Sequence, residues 1–131
     1  MKRKTLMTCL DIAFKNNTPL KHPEWNHYHH FSFIVQDSKI VGFGTNRCSS
    51  PLTFLGYADH TKMHSETDAY FKCKGILEKD KRFEMVNIRL TNTNKIASSQ
   101  PCKCCSAFLS NMKCTKIWFT TNINKFACIV F

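Results

Sequence analysis

The sequence predicts an α/β domain, a sheet of about five strands with helices packed against it. Two patterns and one count carry this reading. Short runs rich in Phe, Ile and Val alternate with stretches whose apolar residues fall at helical spacing. The elements run α-β-β-α-β-α-β-β, an order that packs helices onto a sheet. The chain is 43% hydrophobic and 12% aromatic with 11 Phe, so its 131 residues supply one filled core and one domain, 1–131.

Each element has a local reason. Residues 4–16 form a helix with Leu6, Cys9, Leu10 and Ala13 on one stripe. "NNTPLKHPEWN" (16–26) holds two Pro and is a loop. "HHFSFIVQ" (29–36) is a strand, "DSK" turns the chain, and "KIVGFGTN" (39–46) returns it as a hairpin. Residues 47–62 are irregular. "HSETDAYFKCKGILEK" (64–79) is a helix with Ala69, Tyr70, Cys73, Ile76 and Leu77 at helical spacing. "FEMVNIRLT" (83–91) is a strand and "NTNKIASSQ" a loop. "PCKCCSAFLSNM" (101–112) is a helix with Pro101 just inside its start, where proline is favoured. "TKIWFTT" (115–121) is a strand, "NINK" a turn and "FACIVF" (126–131) the last strand.

Composition narrows the class without choosing it. The apolar stretches are far below membrane-spanning length. The basic start "MKRK" resembles a signal peptide, but Thr8 and Asp11 break the apolar run and no small-residue cleavage site follows, so a cytoplasmic protein is expected. In that compartment most of the 8 Cys are reduced. Cys9, Cys48, Cys73, Cys114 and Cys128 read as small buried apolar residues. The net charge of +10 suits nucleotides or nucleic acid, and equally suits the Lys and Asn usage of an AT-rich genome.

The chemistry lies in two short segments. "MHSETDAY" supplies His64 and Glu66, and "PCKCC" supplies Cys102 and Cys105. Together they match H-x-E…P-C-x-x-C, the signature of zinc-dependent nucleobase deaminases. Such a pair arises by chance in about 0.003 chains of this composition. Residues three apart on a helix share a face, so both sulfurs reach one ion while Cys104 turns away. The positive helix N-terminus favours thiolates. His64 adds a third ligand, and the fourth tetrahedral position is left for water, which is the catalytic arrangement of one Zn2+ per chain. Glu66 is placed to carry the water's proton to the ring nitrogen and the departing ammonia. A structural zinc site lacks a fourth ligand here, and a redox CxxC leaves His64 and Glu66 unexplained. The alternating His of "HYHH" (27–30) read as surface or strand-packing residues.

Over most of its length the chain resembles the cytidine deaminase-like superfamily. "VGFGTNR" is similar to a second strand ending in G-x-N, "HSETDAY" to H-[A/S]-E-x-x-A, and "SSQPCKCCSAF" to S-x-P-C-x-x-C. "HHFSFIVQDSKIVGFGTN", "FEMVNIRL" and "SSQPCKCC" more narrowly resemble small phage- and large-virus-type members. The resemblance implies a three-layer α/β/α sandwich around a mixed five-stranded sheet, with zinc between the N-termini of the two core helices. It implies that Asn46 bonds the substrate's sugar or base and that the Ser65 backbone N–H binds the base carbonyl. Ser99 enters as a further substrate contact on the same ground. Only four residues, 122–125, separate the last two strands, too few for a crossover, so they are antiparallel, as in deaminases of free cytidine. A phosphate seat is not specified; Arg47, Lys62 and Lys103 are its candidates.

Three functions follow. The first is hydrolytic conversion of cytosine to uracil in a (deoxy)cytidine nucleoside or nucleotide. The second is the same reaction in single-stranded DNA or RNA, with Tyr57 or Trp118 stacking on the base. The third is a zinc-structured basic binding module without activity. No membrane partner is expected, and a homo-oligomer suits small deaminases that complete their sites across subunits.

Overall fold

The computed structural model describes residues 1–17, 28–46, 64–78, 81–91, 93–122 and 125–131. In chain order these hold α1 (Arg3–Asn16), β1 (Tyr28–Gln36), β2 (Lys39–Thr45), α2 (Ser65–Cys73), β3 (Phe83–Thr91), β4 (Ile96–Ala97), α3 (Lys103–Asn111), β5 (Cys114–Thr120) and β6 (Phe126–Val130). The sheet runs β2-β1-β3-β5-β6, with β4 paired to β3 beside that path. β3 and β5 are parallel, while β1–β2, β1–β3, β3–β4 and β5–β6 are antiparallel.

The predicted α/β sandwich is present. One sheet face packs on α1, burying Phe31, Phe33 and Val35 of β1 and Val86, Ile88 and Leu90 of β3 against Leu6, Cys9, Leu10 and Ala13. The other face buries Ile34, Phe83, Met85 and Ile117 under α2 and α3, whose inner residues include Ala69, Cys73, Phe108 and Leu109. This alternation along each strand is the period of two that separates the faces of a sheet.

Four differences have physical causes. The sheet has six strands rather than five. Asn94 takes a left-handed φ of 60°, which Asn tolerates, and folds the chain back so that Ile96 and Ala97 pair with Leu90 and Arg89. α2 ends at Cys73, because the N–H groups of both Ile76 and Leu77 turn in on the Cys73 carbonyl around Gly75. Ile76 is thereby 69% exposed rather than on a buried stripe. Pro101 precedes the α3 N-cap, Cys102, and is not the first helical residue. Cys128 is exposed rather than buried, because β6 is an edge strand; Cys48 lies outside the described residues.

Two devices hold α2 against the sheet. A Cβ on Gly44 would lie 2.2 Å from the Ala69 nitrogen, so only glycine lets β2 come this close to the helix backbone. The fully buried Asp68 accepts a hydrogen bond from the Thr45 N–H at 2.9 Å and an ion pair from Lys72 at 3.0 Å. The hairpin that presents β2 turns through Asp37 and Ser38, both at positive φ, the pattern of a two-residue turn matched to strand twist.

Candidate metal centre and active site

His64 and Cys102 occupy equivalent places, the N-caps of α2 and α3, each with extended backbone. Cys102 is therefore outside the helix rather than one of two residues on its face. Its sulfur accepts the Cys105 N–H at 3.4 Å, so the sulfur itself caps α3. This brings Cys102 Sγ and Cys105 Sγ onto the same imidazole nitrogen, 3.5 and 3.4 Å from His64 Nδ1.

These distances suit a zinc ion. Tetrahedral zinc with sulfur at about 2.3 Å and nitrogen at about 2.0–2.1 Å sets S···N edges of about 3.6 Å. The three ligand atoms lie within 4.8 Å of one another, and among the described residues they are the one His/Cys/Asp/Glu cluster compact enough to hold an ion. Cys104 is not part of it and packs against the core beneath α2 and α3.

The electrostatics agree with the donor set. Cys102 is held down to about 3, first by the hydrogen bond from Cys105 and further by His64 and the Cys105 N–H, against an opposing effect of burial. Cys105 is pushed up by the same shared bond, by burial and by the nearby Glu66 carboxylate. A divalent cation that binds both sulfurs displaces the thiol protons.

Glu66 stands beside the cluster and is buried, 5% exposed. Its Oε1 accepts the Ser65 hydroxyl at 2.8 Å and lies 3.5 Å from Ser32 Oγ. The arrangement offers an ion seat of three ligands, a carboxylate next to it, and the N-termini of two helices aimed at one spot. That is the equipment for activating water against a bound electrophile.

No family model and no curated protein matches the chain. Solved structures do. A cytidine deaminase from Burkholderia pseudomallei superposes with a TM-score of 0.65 at 14% identity, over 99% of this chain and 93% of that one. The dCMP deaminase from cyanophage S-TIM5 in apo form gives 0.57 at 17% identity, over 89% and 82%. Its complex with dCMP and dUMP gives 0.54 at 16% identity, over 89% and 81%. The chain is similar in fold to these deaminases.

His64, Cys102 and Cys105 come together with Glu66 beside them; the other residues singled out in the sequence lie as follows. Asn46 follows β2, and its Oδ1 accepts the His30 N–H at 3.2 Å. Ser65 is the first residue of α2, where backbone N–H groups lack intrahelical partners. Ser99 is 4% exposed, and its hydroxyl is spent on the frame, bonding the Asn87 carbonyl and Thr120. Lys103 is exposed at the first position of α3. Trp118 lies on the α1 face of the sheet, with its indole N–H on Glu84, across the sheet from the cluster. Tyr57, Arg47 and Lys62 lie outside the described residues.

The floor beneath the cluster also holds residues that no short motif marks. His30 faces the cluster, opposite Arg89 in the β1–β3 ladder. Burial, followed by the charges of Arg89, His64 and His29, pushes its imidazole down to about 4. Ser32 and Asn87 form the next cross-strand pair. The available signal was a polar residue at the centre of an otherwise apolar strand, Ser32 between two Phe and Asn87 between Val86 and Ile88.

Proposed function

We propose that this single-domain protein, 1–131, is a zinc-dependent hydrolytic deaminase. It converts cytosine to uracil in a (deoxy)cytidine nucleoside or nucleotide. The observation that carries this is the His64–Cys102–Cys105 seat with Glu66 buried beside it, on a fold similar to a cytidine deaminase and a dCMP deaminase.

Zinc, when bound, supplies Lewis acidity that makes water a competent nucleophile near neutral pH. His64 Nδ1 and the Cys102 and Cys105 sulfurs hold it. Glu66 removes a proton from the attacking water and delivers one to the ring nitrogen. It then carries the second proton to the exocyclic amino group, so that the C4–N bond breaks and ammonia leaves. The Ser65 N–H, at the positive end of α2, holds the base carbonyl, and Asn46 holds the sugar or base. Burial keeps the Glu66 side chain away from bulk water, so the proton it takes is handed on within the site.

Deamination in single-stranded nucleic acid has the +10 charge in its favour. The position of Trp118 across the sheet removes one of its two aromatic seats. The same reading places the protein in the cytoplasm, as a homo-oligomer; among the described residues no helix is long and apolar enough to cross a membrane.

The test incubates zinc-loaded protein with cytidine, deoxycytidine, dCMP and a cytosine-containing oligonucleotide and follows uracil formation. Conversion of a monomer supports the reading, and conversion of the oligonucleotide alone supports the second one. Conversion of none, with zinc at unit stoichiometry, sinks both and leaves the binding module.

A further inference from the structure

The floor beneath the cluster carries a line of close polar contacts. Glu66 Oε1 takes the Ser65 hydroxyl at 2.8 Å, and Ser32 Oγ stands between Ser65 Oγ at 2.7 Å and Asn87 Oδ1 at 2.8 Å, with one proton to give to either. Asn87 Nδ2 reaches the Ser99 carbonyl at 3.4 Å, and the Ser99 hydroxyl returns to the Asn87 carbonyl at 2.8 Å. Ser32 is 0% exposed, Ser65 and Asn87 2%. The line joins four segments: the start of α2, β1, β3 and the loop entering α3. His64 precedes Ser65 by one residue and Cys102 follows Ser99 by three, so both ligand-bearing segments are tied to one frame.

A buried polar pair in a sheet is not neutral. Polar groups taken out of water cost stability unless they are bonded, and apolar residues at the same place would have packed. The neighbouring positions on this face, Ile34 and Met85, are apolar cross-strand partners. The apolar pattern ends at Ser32 and Asn87, the row that lies under Glu66, and His30 opposite Arg89 continues the polar side.

We propose that Ser32 is a positioning residue for Glu66. Its hydroxyl donates to Ser65 Oγ, which donates in turn to Glu66 Oε1, and so fixes the carboxylate beside the metal ligands. The kinetic consequence rests on the deaminase reading; the geometric one does not. Ser32→Ala removes the seat while leaving every ligand and Glu66 in the chain. Misplacing a catalytic group by about 1 Å costs up to roughly 100-fold in rate. Ser32→Ala is therefore expected to lower kcat about 10- to 100-fold, with KM for the monomeric substrate within about twofold and zinc content unchanged.

A merely structural role predicts otherwise, and a second variant separates the two. Ser32→Ala takes away the polar neighbour of both Ser65 Oγ and Asn87 Oδ1 and lowers the unfolding midpoint. Ser32→Ala with Asn87→Leu removes both polar partners and recovers most of that midpoint. Positioning predicts that kcat stays low in the double variant. A further readout needs no turnover: the visible spectrum of the cobalt(II)-substituted protein, which responds to groups bonded at the metal's open position. Ser32→Ala is expected to shift it in the same direction as Glu66→Gln. An unchanged cobalt spectrum, or a kcat that recovers with the midpoint, overturns the proposal. If the native protein converts no cytosine substrate, the deaminase reading fails while the cobalt spectra still decide on Ser32.

Discussion

Gly44→Ala places a methyl group where β2 touches the backbone of α2. The new carbon would meet Ala69 N at 2.2 Å, and Ala69 Cα and Asp68 C at 2.7 Å. All three are backbone atoms, so none can swing aside. Ordinary contact between such atoms is about 3.4 Å or more, so α2 must retreat by about 1.2 Å. Overpacking of this kind costs about 1–3 kcal/mol. For a domain of this length that lowers the unfolding midpoint by roughly 4–12 °C. The displacement also reaches the ion seat, because His64 caps the same short helix. Metal ligands hold their distances to within about 0.2 Å, and disturbing what orients them weakens binding about 10- to 100-fold. Thermal unfolding and zinc competition with a chromophoric chelator measure the two effects. Gly75→Ala is the control, since a Cβ there meets nothing within 4 Å. If Gly44→Ala matches wild type within about 1 °C and holds zinc within about twofold, β2 does not set the position of α2 and the reasoning is wrong.

Metal analysis should find zinc lost from His64→Ala, Cys102→Ser and Cys105→Ser, and retained, with activity, in Cys104→Ser, which lies outside the cluster. Glu66→Gln should keep zinc and lose about 10²- to 10⁴-fold in kcat; near-wild-type turnover would refute its role as proton carrier. For His30 the unfolded chain binds a proton near pH 6.5 and the folded protein only near pH 4, so stability is lost as pH falls between those values. In chelator, the drop in unfolding free energy from pH 7 to pH 5 should be about 2 kcal/mol larger for wild type than for His30→Leu; equal drops would show that His30 is not held neutral. Ser38→Gly relieves a left-handed φ of 64° and should raise the unfolding midpoint by a few degrees, read by calorimetry.

Much of the fold was legible because its signals are short-range. The strand expected over 83–91 is β3, Phe83–Thr91, and the antiparallel closing pair expected from the brief turn at 122–125 is β5–β6. The His64, Cys102 and Cys105 cluster was legible for the same reason: a histidine at one helix start and two cysteines three apart at another need only local spacing to be recognised. Legibility failed where a competing local bond or a neighbour distant in sequence intervenes. α2 ends early because a turn around Gly75 competes with the helix, and Pro101 falls before α3 because the Cys102 sulfur takes the capping place. Trp118 reads as an aromatic seat from composition alone, yet its position along β5 turns it to the α1 face.

Local spacing by itself determined an α/β domain and singled out His64, Cys102 and Cys105, with Glu66 two residues beyond the histidine. Only tertiary structure decided what lies under them. Ser32 meets Asn87, and His30 meets Arg89, through the register of β1 on β3, two strands separated by β2 and α2 in the chain. A slip of one residue in β1 would turn Ser32 toward α1 and bring Phe31 or Phe33 under Glu66. No short motif encodes that register. It is set by the burial of the two apolar strand faces and by the close packing of Gly44 on α2, which the sequence contains only as separate residues.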